Sequence, residues 1–126
     1  MLWIRALDGD TRPIEGTEGA SLPFWSADSR SIGFFANGKL RRVDVNGSNL
    51  RVICDAPNGG GGTWNADDTI VFSRVRTDAL FRVSGRGGTP IKVTTLDAAR
   101  KERGQTMPVF LPDGKRFLYY SEAPDG

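Results

Sequence analysis

A bulky ring returns in this chain about every forty residues, each time at the same place in a longer pattern. Trp25, Trp64 and Phe110 each stand three residues before an aspartate: Asp28, Asp67 and Asp113. An apolar-x-aromatic stretch follows each aspartate: Ile32 and Phe34, Ile70 and Phe72, Phe117 and Tyr119. Trp64 comes 39 residues after Trp25, and Phe110 comes 46 after Trp64. A second element recurs between these anchors. Leu2 to Gly9 resembles Leu40 to Gly47, and both resemble Leu80 to Ser84 ahead of Gly87-Gly88. A short partner follows each copy: Arg12-Pro13-Ile14, Leu50 to Ile53, and Pro90 to Val93. The unit therefore reads strand, Asp turn, strand, Gly turn, strand, Asx/Gly hairpin, strand. Its apolar residues alternate with period two, as half-buried strands require. Only Leu96 to Arg103 is compatible with a turn of helix.

A period near forty with four strands per unit predicts an all-β chain, a β-propeller fragment of about three four-stranded blades. The expected division of this single domain is an outer half-blade over 1–16, blades over 17–54 and 55–95, and an inner half-blade over 96–126. One small twisted sheet cannot hide both its faces, so blades must stack. A Trp or Phe buries about 150–250 Å², roughly 4–6 kcal/mol at about 25 cal/mol per Å² before entropy is counted. All three rings are expected to wedge between neighbouring sheets. The aspartates are expected to accept backbone N–H groups within their turns.

Composition narrows the chemistry. The 126 residues suit one domain, and 16 Gly with 7 Pro suit many turns. A net charge of +2, with no basic stripe, argues against nucleic acid as a partner. The sequence has no histidine, which removes a Ser-His-Asp triad, a Cys-His dyad and a His-built zinc site. The single cysteine, Cys54, follows Val52-Ile53 and reads as a small buried hydrophobe. Gly59-Gly60-Gly61-Gly62 lacks the Lys-Ser/Thr and the helix of a phosphate loop, and reads as a flexible loop entering an inner strand. Asp8-Gly9-Asp10 lacks the remaining ligands of a calcium loop and reads as a hairpin turn. No catalytic residue, metal or cofactor is expected. No apolar run has the length of a membrane span. Arg5 and Asp8 come too soon after Met1 for a signal peptide, and the first residues read as a strand already under way.

Two of these stretches carry a resemblance. Phe24-Trp25-Ser26-Ala27-Asp28-Ser29-Arg30-Ser31-Ile32-Gly33-Phe34 and Phe110-Leu111-Pro112-Asp113-Gly114-Lys115-Arg116-Phe117-Leu118-Tyr119 resemble the W-S-P-D-G-x-x-I-x-F repeat of TolB-type, WD-like propellers, and the similarity runs over essentially the whole chain. Leu2 to Asp55, with Gly87 to Pro90 and Val93 to Asp97, looks most like the propeller fused to bacterial eukaryotic-type serine/threonine kinases. Ala27 and Ala66 stand where the repeat has proline, and no kinase motif is present. The resemblance implies six blades in a complete propeller, against material here for three. It also implies a periplasmic or extracytoplasmic setting. The expected consequence is either a piece of a longer protein or two copies closing head to tail as a six-bladed ring.

The longest connection, Thr94 to Thr106, accounts for the 46-residue spacing and holds Asp97, Arg100, Lys101, Glu102 and Arg103. Connections of this kind share one rim of a propeller and shape its binding face. Glu15 to Ala20 and Asp55 to Gly62 are its equivalents. A protein or small-ligand site rimmed by Asn58, Arg100 and Arg103 is the expectation. Three functions stay open: a non-catalytic recognition scaffold, such as the sensor part of a bacterial signalling protein; an accessory gating propeller of a prolyl-oligopeptidase-like hydrolase; and a truncated structural remnant.

Overall fold

The computed structural model describes residues 1–124, and in them every regular element is a β-strand. There are twelve: β1 (Leu2–Arg5), β2 (Thr11–Ile14), β3 (Ser21–Trp25), β4 (Ser31–Ala36), β5 (Lys39–Asp44), β6 (Arg51–Asp55), β7 (Gly62–Trp64), β8 (Thr69–Phe72), β9 (Phe81–Ser84), β10 (Ile91–Lys92), β11 (Gly104–Phe110) and β12 (Phe117–Glu122). They form two four-stranded antiparallel sheets, β3-β4-β5-β6 and β7-β8-β9-β10. A two-stranded sheet lies on either side in sequence, β1-β2 before them and β11-β12 after. These are two complete propeller blades and two half-blades.

The repeat is visible in the register. Trp25 faces Ile32 across β3-β4, Trp64 faces Ile70 across β7-β8, and Phe110 faces Phe117 across β11-β12. The turn beyond each pair is closed by one left-handed residue, Ser29 (φ 61°), Asp68 (φ 61°) or Gly114 (φ 67°). Asp28 accepts the Arg30 N–H at 3.0 Å, and Asp113 accepts those of Lys115 and Arg116 at 2.9 and 3.1 Å. The middle copy differs from expectation. Its turn acceptor is Asn65, which takes the N–H groups of Asp67 and Thr69 at 3.0 Å each, so Asp67 contributes a backbone donor there. An amide side chain two residues earlier does the work because the turn is one residue shorter.

Two apolar clusters hold the sheets face to face. Between the complete blades lie Phe35, Leu40, Ile53, Trp64, Ile70 and Phe72. Ile14, Ile32, Phe34 and Val43 form the other, with Leu2 and Ile4 of β1 packed against them. Cys54 packs on the first cluster, and burial pushes its thiol up to about 11. Trp64 is buried and Phe110 half-buried. Trp25 corrects the expectation for the three rings, being 52% exposed. Its side of β3 faces the half-blade that contributes only β1 and β2 to the described residues, so nothing stands where an inner strand would cover it.

The glycine run leads into the inner strand β7 as expected, but it is packed and not a flexible loop. An added Cβ at Gly62 falls 2.7 Å from the Phe24 ring, and one at Gly61 falls 2.9 Å from Met107 Sδ. At Gly59 it meets the Phe35 ring. Gly60 donates to the Ser73 carbonyl (3.0 Å) and accepts from Met107 (2.8 Å), joining both neighbouring sheets through one residue. Leu96 to Arg103 makes a turn at Lys101 N–H to Ala98 (3.1 Å) but no helix.

Candidate functional site

The strands leave two rims. Turns within the β3-β4, β5-β6, β7-β8 and β9-β10 hairpins lie on one of them. On the other, the β4-β5 and β8-β9 turns meet the connections between sheets: Ala56 bonds to Gly38 (2.9 Å) and Gln105 to Asp78 (3.0 Å).

On the hairpin rim a polar cleft opens between the two complete blades, with a volume of about 530 Å³. Arg42, Arg51, Arg86, Asp28, Asp68 and Trp64 line it among others. Arg42 is its best-held member. Strand β5 turns Leu40 and Val43 into the two cores, and Arg42 lies over the Trp64 ring, its guanidinium carbon 4.7 Å from the centroid. One terminal nitrogen donates to the Gly85 carbonyl (2.8 Å) and the other to Ser31 Oγ (3.0 Å). Its Nε is buried with no hydrogen-bond partner among the described residues. Arg86 is largely exposed, 3.7 Å from Asp68, whose Oδ1 accepts the Trp64 indole N–H at 2.8 Å. The cleft thus offers two exposed cations, Arg51 and Arg86, beside one fixed guanidinium. Such forks match carboxylates. Sequence reading passed over it, although a charged pair inside the apolar alternation Leu40-Arg41-Arg42-Val43 was a visible signal.

Asn58, Arg100 and Arg103 lie on the other rim, all exposed and outside this cleft. The structure fixes their backbones: Asn58 bridges to Val75, Arg100 N–H reaches Asp97 (3.3 Å), and Arg103 N–H reaches the Glu122 carbonyl (2.7 Å). Glu102, between the two arginines, turns inward. It accepts from Gln105 and from the Asp97 N–H at 2.9 Å each, and from Ser121 Oγ. Gln105 is itself only 1% exposed. This buried network ties the long connection to β11-β12. Among the described residues no three His, Cys, Asp or Glu side chains come together as metal ligands, and no helix is long and apolar enough to cross a membrane.

These turn carboxylates carry a pH prediction. The Ser121 hydroxyl first, then the Asp97 N–H, holds Glu102 below its usual 4.5. Asp28 (through Ser26), Asp44 (through Asn49), Asp78 (through the Ala79 N–H) and Asp113 (through the Lys115 N–H) are held below 3.8. A depressed folded-state value stabilises above the unfolded value and loses that contribution as pH falls through the folded one. The urea midpoint should stay level from neutral pH down to about pH 5, then fall steadily through pH 4 and 3. A flat midpoint down to pH 3 contradicts this.

No protein-family model and no curated protein matches the sequence. Among solved structures, the chain is similar to the crystal structure of TolB from Acinetobacter baumannii, with a TM-score of 0.75 and 16% sequence identity. The match covers 98% of this chain and 32% of that one, so the chain spans about a third of its length. At that identity the likeness concerns fold alone. The chain has the fold of a TolB-like β-propeller segment, with its polar cleft at the joint between two complete blades.

Proposed function

We propose that this chain is a non-catalytic recognition module that takes an acidic protein segment or small ligand into the Arg42–Trp64 cleft, as the sensor part of a larger bacterial signalling protein. The observation that carries the reading is the cleft's make-up: a guanidinium pinned over an indole, with two exposed arginines beside it. The signalling setting follows from the likeness of the repeats to kinase-fused propellers.

The test separates the two rims. An acidic peptide library is screened against the chain and against two double variants. Arg51→Ala with Arg86→Ala should weaken the selected peptides about tenfold or more, whereas Arg100→Ala with Arg103→Ala should leave them unchanged. The reverse pattern transfers recognition to the rim of Asn58, Arg100 and Arg103. If the library yields no binder, the reading falls.

A further inference from the structure

The exposed large apolar side chains of this molecule are concentrated on its two half-blades. Trp3 is 62% exposed on β1, Val109 57% on β11, and Leu118 and Tyr120 67% and 62% on β12. Each half-blade also has an edge with no strand paired to it among the described residues: β1 pairs only with β2, and β12 only with β11. An apolar free edge is a template for another strand.

The joint between the two complete blades shows what such surfaces are built for. There Trp64 sits beneath side chains of the preceding sheet: Phe24 lies edge-on, 6.3 Å between centroids, and Phe35 belongs to the same cluster. The repeat register sets Trp25 equivalent to Trp64, Val109 to Phe24, and Tyr120 to Phe35. Trp25 is the half-exposed ring that lacks these neighbours, while Val109 and Tyr120 are exposed residues that lack a ring. Beside Trp25, along β1, runs a cleft of about 290 Å³ lined by Leu2, Ile4, Ile14, Pro23 and Ile32.

We propose that β12 of one copy of this chain pairs antiparallel with β1 of a second copy, completing a four-stranded blade of β11-β12 and the second copy's β1-β2. The register follows from the complete blades, where Ile32 faces Val43 and Phe34 faces Arg41, and Ile70 faces Val83 and Phe72 faces Phe81. Carried across by equivalence, Phe117 faces Arg5, Leu118 faces Ile4, Tyr119 faces Trp3, and Tyr120 faces Leu2. Facing residues share a side of the sheet. Leu118 and Tyr120 thus join Leu2 and Ile4 over Trp25, and Trp3 joins Tyr119 on the opposite side. Every member of the apolar set gains a neighbour, and both free edges are consumed.

The experiment uses the full 126-residue chain at high micromolar concentration, read by light scattering. Self-association is expected, weakened about tenfold or more by Leu118→Lys with Tyr120→Lys. Because both positions are exposed in a single copy, circular dichroism of that variant should stay β-rich. A second arm mixes a Trp3→Cys chain with a Tyr119→Cys chain, each also carrying Cys54→Ala. An intermolecular disulfide should form in the mixture and in neither variant alone. A monomer at all concentrations overturns the proposal. So does an association that ignores the lysines and yields no mixed disulfide, since the contact then lies elsewhere.

Discussion

Trp64→Ala should lower the unfolding free energy by about 3–5 kcal/mol, whereas Trp25→Ala, the same substitution at the same place in the repeat, should lower it by less than about 1 kcal/mol in the monomeric chain. Trp64 is 6% exposed and lies between the complete blades, under Arg42 and against Phe24, with its indole N–H on Asp68. Removing it opens a cavity between two sheets that cannot collapse without sliding past each other, and leaves the cation without its ring. Trp25 is 52% exposed, so most of its area is already in water and little is lost on truncation. Guanidinium titrations of the two variants, side by side, measure the contrast. Equal losses would mean that Trp25 is covered in solution. Their appearance only at concentrations where the chain self-associates would place that cover in a second copy.

The contrast shows which part of the molecule was legible in the sequence. The repeat gave strands, order and blade phase, because alternation and turn residues are local and each copy testifies for the others. Trp25 and Trp64 look identical at that level. Only the neighbour decides burial, and for Trp25 that neighbour is missing from the described residues. Asp67 failed for a similar reason: a turn one residue shorter hands the acceptor role to Asn65, a swap that depends on geometry and not on residue type. The cleft was hidden because its members come from separate turns and strands of two sheets, and because Arg42 is unremarkable until the next sheet lays an indole against it. Glu102 read as one of the charges in a connection expected to shape the rim, yet the connection folds it onto Ser121, nineteen residues away.

The glycine run leads into the inner strand β7 as the sequence suggested, but its tight packing was not legible there, and it yields the second large effect. Gly60→Ala should destabilise the chain by about 1–3 kcal/mol, although the added group is one methyl and the residue is no left-handed glycine. The new Cβ would lie 2.5 Å from Ser73 Oγ and 2.9 Å from Thr106 Cγ2, so the second blade and β11 would both have to retreat. Gly60 also holds those two elements by hydrogen bonds to Ser73 and Met107, and retreat stretches both. Ser73 Oγ is buried without a hydrogen-bond partner among the described residues. Ser73→Ala alone should therefore be near neutral, since it removes an unsatisfied hydroxyl. In the double variant the closest obstruction is gone while the Thr106 methyl remains. The pair should lose clearly less stability than the two single losses added together, with a coupling of about 0.5 kcal/mol or more in thermal or urea unfolding. Strict additivity would mean that the glycines are there for chain freedom after all, as the sequence alone suggested.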